Sequence, residues 1–167
     1  MLFVVGDDPH TPGRGLRPQT PRLRARPQVV QSPGFVLGTT VVGVPKPLLV
    51  IDAANVVGSV PDGWWRDRAG ATTRLRDSLA ELAATGLPQT GASIDVILVV
   101  EGKARTVTSS DTVQVHVAPH SGDDAIVELV ADEATSGRPI YVVTADRGLQ
   151  RRVGVYGVEI LGPHTVR

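Results

Sequence analysis

From Leu48 onward, short apolar runs alternate with segments of helical spacing. Leu48 to Asp52 (LLVID) is apolar until its last residue, the pattern of a strand buried on both faces at the centre of a parallel sheet. Residues 66–85 repeat apolar side chains at Leu75, Leu79, Leu82 and Ala83. Gly86 and then Pro88 stop the helix that this spacing predicts. Ile94 to Glu101 (IDVILVVE) reads as a second strand and the alternating Thr112 to Ala118 (TVQVHVA) as a third. A helix is predicted over Asp123 to Thr135, with Gly122 or Asp123 near its start and Gly137 past its end. Pro139 to Thr144 is the fourth strand, Asp146 to Val153 a short helix, and Gly157 to Leu161 the fifth strand. This order implies right-handed crossovers and a three-layer α/β/α sandwich around a central, mainly parallel five-stranded sheet.

The first 47 residues break the pattern. They hold eight of the thirteen prolines and a scatter of arginines, with few large apolar groups. A tail of this composition cannot build a packed core, so residues 1–47 are expected to be a disordered extension of one domain over 48–167, with 6–34 its clearest part. Phe35 to Val44 could add an edge strand, although Pro45 and Pro47 separate it from the strand at Leu48. The formal net charge of zero divides unevenly, +4 over 1–47 and −4 over 48–167. The folded part is therefore not a basic nucleic-acid module in bulk, and any phosphate contact must come from a local patch. Without cysteine there are neither disulfides nor thiolate zinc sites. No apolar run approaches the ~20 residues of a membrane span, and the opening MLFVVGDD lacks the basic start and cleavage site of a signal peptide. A cytoplasmic protein is the expectation.

Candidate chemistry lies just past the strand ends. Asp52 closes the first strand and Asn55 follows in the next turn. Asp123 and Asp124 open the helix after the third strand, and Asp146 opens the helix after the fourth. Taken singly, an acid at a helix start is an ordinary cap. A buried strand end has no such need, and in an open α/β sheet all these positions share the carboxyl edge, where ligands bind. Carboxylates ~5 Å apart at an effective dielectric of ~20 repel by roughly 3 kcal/mol per pair. That is a large part of the ~5–15 kcal/mol that stabilises a whole domain. A cation relieves it, and hard oxygen ligands select Mg²⁺ or Mn²⁺.

The D-x-x-N of Asp52 and Asn55 in IDAANVVGS, the acidic pair in GDDAIVELV and the segment VVTADRGLQRRV around Asp146 resemble the NYN branch of the PIN-like ribonuclease superfamily. The resemblance covers roughly residues 48–162. It is similar in motif order to bacterial NYN-type proteins and to the nuclease domain of zinc-finger NYN ribonucleases. It implies a PIN-like sheet and a Mg²⁺- or Mn²⁺-dependent ribonuclease acting on RNA. Asp52, Asn55, Asp123, Asp124 and Asp146 would be its site residues, with Asp52, Asp124 and Asp146 as the principal metal ligands. One departure is Gln150, which stands where some members carry a second Asp four residues after the one matching Asp146.

Other residues are weighed beside this set. Lys103, Arg105, Arg147, Arg151 and Arg152 fall near the same edge as candidate phosphate contacts, or as ordinary surface charge. Glu101 ends the second strand and reads slightly better as a solvated acid than as part of the cleft. Thr144 could orient a ligand or cap a turn with equal reason. Of the adjacent Trp64 and Trp65, one is expected to be buried and the other exposed, free to stack on a base. His116 alternates within the third strand, and His120, in the loop before Asp123, reads better as solvent-exposed than as a transition-metal ligand. Three alternatives stand: a catalytically inactive PIN-like module binding RNA or protein, a toxin with the same chemistry and a different partner, and a Toprim-type nuclease built on VVEGKAR and TADRGL. The Toprim reading has Thr144 where an Asp belongs and leaves Asp52 unexplained. A homodimer is allowed for, and no protein partner is specified.

Overall fold

A computed structural model describes residues 45–167. The expected disordered tail up to residue 44 and the expected edge strand at 35–44 lie outside the described residues. Within 45–47, the Pro47 carbonyl accepts from the Asp95 N–H at 2.9 Å, and the chain then enters the sheet.

Five strands form one sheet: β1 (Leu48–Asp52), β2 (Asp95–Val100), β3 (Val113–Val117), β4 (Ile140–Val143) and β5 (Glu159–Leu161). Their spatial order is β3-β2-β1-β4-β5 and every pairing is parallel. The apolar β1 is central and buried along its whole length, as its composition requires. Among the described residues the α-helices are α1 (Ala53–Gly58), α2 (Arg68–Thr85), α3 (Gly122–Ala134) and α4 (Arg147–Gly154).

Period-two alternation divides the core into two layers. Leu49, Ile51, Val96, Leu98, Val100 and Val143 pack with Val56, Val57, Leu75 and Leu79 of α1 and α2. Leu48, Val50, Ile97, Val99, Ile140 and Val142 pack with Ile126, Val130, Leu149 and Val153 of α3 and α4. The result is the expected three-layer α/β/α sandwich around a parallel five-stranded sheet. The chain leaves β1 towards β2 and β3, then returns across β1 to β4. Crossovers of one hand running in opposite directions must lie on opposite faces, and the helix layers do. The reversal falls between β1 and β4, so the crevice at their carboxyl ends is the topological switch point.

Two elements differ from the sequence expectation. Asn55 lies not in a turn but in α1, which starts directly after β1 with Asp52 as its cap. Six residues ending in Val-Val-Gly are too few to display a helical period. The other is a short turn of 3₁₀ helix, Pro163–Val166, which brings Val166 into the first core layer. No described helix is long and apolar enough to cross a membrane.

Candidate active site

Asp52 is 9 % exposed at the end of the central strand, and both of its oxygens are engaged. Oδ1 accepts from the Asn55 N–H at 3.1 Å and Oδ2 accepts from the Thr144 hydroxyl at 3.1 Å. Thr144, fully buried after β4, accepts in turn from the Asp146 N–H at 3.1 Å. The Asn55 side chain crosses the same gap, its Oδ1 accepting from the Ala145 N–H at 2.9 Å. Asp146 caps α4 through the Leu149 N–H at 2.8 Å. Two strand ends from distant parts of the chain are thus stitched together across the switch point. Gln150 joins in: its Nε2 donates to the Thr144 carbonyl at 3.0 Å, so the departure from the acidic pattern holds the β4–α4 loop.

The second wall comes from β2 and α3. Glu101 accepts from the Gly122 N–H at 2.6 Å, which docks the start of α3 against the end of β2. A side chain at position 122 would crowd this contact, since a Cβ there would lie 3.1 Å from Glu101 Oε2. Ser121, rather than Gly122 or Asp123, caps α3 by accepting from the Asp124 N–H. The rotation this sets separates the two acids. Asp124, expected to converge with Asp52 and Asp146, is exposed and accepts from Arg152 Nη2 at 2.6 Å. Asp123 is half-buried and lies within the field of Asp146 and Glu101.

The electrostatics record this clustering. Burial pushes the Asp52 carboxyl above its ordinary value; the hydrogen bonds from Asn55 and Thr144 oppose this, and the charges of Asp123 and Glu101 add to it. Burial also raises Asp123, followed by the Asp146 charge, with Arg152 opposing and Glu101 and Asp124 adding. Glu101, discounted in the sequence, therefore belongs to the cleft. Only its place at a strand end signalled it.

No family model and no curated protein matches the chain. Solved structures do. Rae1 (YacP) from Bacillus subtilis superposes with a TM-score of 0.57 at 21% sequence identity, over 71% of this chain and 70% of that one. A tryptophan-to-leucine variant of the same protein gives a TM-score of 0.58 at 21% identity, over 72% of each chain. The chain shares the fold of Rae1. At this identity the likeness concerns the fold alone, so the chemistry must be argued from the side chains present.

The donor set is carboxylate oxygen, which suits Mg²⁺ or Mn²⁺ and not softer ions. Among the described residues, no group of three or more His, Cys, Asp or Glu side chains is gathered closely enough to hold a metal by itself. Mg²⁺ does not require one: it keeps several waters and is usually held by one or two carboxylates together with a substrate phosphate. Asp52, Asp123, Asp146 and Glu101 fit that mode. Around them the basic residues divide. Arg105 donates to the carbonyls of Pro119 and His120, and Arg152 is paired with Asp124. Lys103, Arg147 and Arg151 are exposed. His120 is exposed, and His116 is partly covered within β3. Trp64 is half-buried against the first core layer while Trp65 is 54 % exposed, the division expected of the pair.

Proposed function

We propose that the chain is a divalent-metal-dependent ribonuclease, hydrolysing RNA phosphodiester bonds in the cleft between Asp52, Asp123, Asp146 and Glu101. The observation that carries this reading is the Asp52–Thr144–Asp146 bridge across the switch point, because it fixes two acids where a parallel sheet receives its ligand. A Mg²⁺ or Mn²⁺ ion bound there would stabilise charge on the phosphoryl oxygens and lower the pKa of a bound water. Asp52 and Asp146 are the principal ligands in this reading. Both are held by backbone N–H groups, so their orientation is set before substrate arrives. Asp123 takes the third place, because Asp124 is occupied by Arg152. As a carboxylate beside the metal-held water it would accept the proton of the attacking water. The water oxygen bonds to phosphorus, one ester P–O bond breaks, and the departing oxygen takes a proton from solvent. Asn55 positions the two loops without adding charge. Lys103, Arg147 and Arg151 contact flanking phosphates.

The test is incubation of the full chain with single-stranded and structured RNA in Mg²⁺, in Mn²⁺ and in EDTA. Cleavage should need the metal, and Asp52→Asn or Asp146→Asn should lower its rate by roughly 100-fold or more. Equal cleavage by these variants, or no cleavage by wild type in either metal, would overturn the reading. A wild type that binds RNA without cutting it would instead be an inactive PIN-like binding module.

A further inference from the structure

Beside the acidic cluster lies a second cleft that the proposed chemistry does not use. It is a small cleft, open to solvent. Buried Ala53, Val57 and Ala104 line it together with Trp64, Arg68 and Glu101. We propose that this cleft receives one unpaired nucleobase of the RNA, next to the phosphate engaged by the acids; the proposal rests on the ribonuclease reading.

Three observations carry it. The first is position. Ala53 follows Asp52 directly in the chain, and Glu101 both lines the cleft and acts on Asp52 and Asp123. A group in the cleft is therefore one short step from the acids, as a base is from its own phosphate. The second is the wall. Trp64 packs against the core, so its ring is already ordered and loses little freedom on binding. Base–aromatic stacking then adds affinity for any base. The third is charge. The Arg68 guanidinium lies over the Trp64 ring, its carbon 4.9 Å from the centroid; an entering base takes that face and the exposed, flexible cation turns to a backbone phosphate. Glu101 brings carboxylate oxygens that can accept from the N–H groups on a base edge. A duplex cannot present a base in this way, so the cleft selects single-stranded or looped RNA.

The chain itself provides the reporter, because Trp64 and Trp65 are its 2 tryptophans. In a Trp65→Phe variant, Trp64 is the sole tryptophan and can be excited selectively over the tyrosines, and the exposed position 65 tolerates the change. Short oligoadenylate added to the full-length variant in EDTA, where no cleavage proceeds, should quench Trp64 emission saturably. An oligomer of the same length lacking bases should not, and should bind roughly tenfold or more weakly. In otherwise wild-type protein, Trp64→Leu should weaken oligoadenylate binding by a similar factor, and Arg68→Ala several-fold. Should Trp64→Leu fail to fold, the exposed Arg68→Ala variant decides. Equal binding of the two oligomers, quenching independent of bases, or unchanged affinity in Arg68→Ala would overturn the pocket. Base-dependent quenching alongside undiminished cleavage by Asp52→Asn would keep the pocket and discard the catalytic reading. Acid-dependent cleavage with base-independent quenching would do the reverse.

Discussion

The Thr144 hydroxyl is buried, donates to Asp52 and accepts from the Asp146 N–H, so one small side chain orients acids from two strands. Asp52 and Asp146 were legible in the sequence because each follows an apolar run. The choice between Asp123 and Asp124 was not. Neighbouring helical residues differ by about 100° of rotation, and that rotation is fixed by burying Ala125, Ile126 and Val130 and by the Ser121 cap. Glu101 was hidden for a related reason: its contact with Gly122 spans 21 residues of sequence. The half-buried Asp123 yields a pH prediction. Burial first, and then the Asp146 charge, raise its carboxyl above the ordinary value. Between about 3.9, the unfolded value, and the raised folded value, the native state binds more protons than the unfolded chain. The resulting stability is present below about pH 4 and is lost as pH rises through the folded value. Asp123→Asn should therefore melt higher than wild type at pH 7 in EDTA, by a few degrees at most because the group is partly solvated. The difference should vanish below about pH 4. Thermal melts of both proteins across the range from about pH 3.5 to about pH 7.5 check this, and a variant less stable than wild type at pH 7 would contradict it.

Among the elements, the five strands and helices α2, α3 and α4 were readable, whereas α1 and the 3₁₀ turns were not. Strands β1, β2 and β4 are apolar on both sides because both faces of the sheet are covered, and α2 shows its buried stripe at Leu75 and Leu79. Helix α1 gave no such signal, since tertiary burial of Val56 and Val57 outweighs the weak helical preference of β-branched residues. Helix ends were clearest where glycine stops them. Gly86 closes α2 with φ at +80°, and a Cβ there would lie 1.7 Å from the Ala92 carbonyl oxygen. Gly137 has a similar φ of +73°, but a Cβ would meet nothing within 4 Å. Alanine at position 137 should thus cost only the left-handed strain, about 1 kcal/mol. Alanine at 86 must also displace the backbone of the loop before β2 and should cost about 3 kcal/mol or more. Urea unfolding of the two variants separates these terms. Equal losses would mean that the Gly86–Ala92 approach contributes nothing.

At the scale of the molecule, strand order decides where charge accumulates. A sheet that reverses direction at its centre opens a crevice between β1 and β4, and the acids of four loops meet there or on its rim. The segment 48–167 carries a net charge of −4, so its summed charge attracts cations and repels RNA. One divalent ion in the cleft would offset about half the charge of its four acids, so in the proposed reading a bound ion is part of the phosphate site rather than an accessory to it. Such an ion would favour the folded state alone, because the unfolded chain holds Asp52, Asp123 and Asp146 far apart. Mass action then stabilises the fold by about 2.7 kcal/mol at ~100 times the dissociation constant. Mn²⁺ or Mg²⁺ should raise the melting temperature of wild type by several degrees, saturably, and EDTA should reverse the rise. Asp52→Asn and Asp146→Asn should each lose most of it. RNA affinity should climb along the same metal titration, above the base-dependent binding that remains in EDTA. A melting temperature indifferent to both ions, with RNA bound equally well in EDTA, would mean that the acids serve the helix caps and the fold instead of a metal.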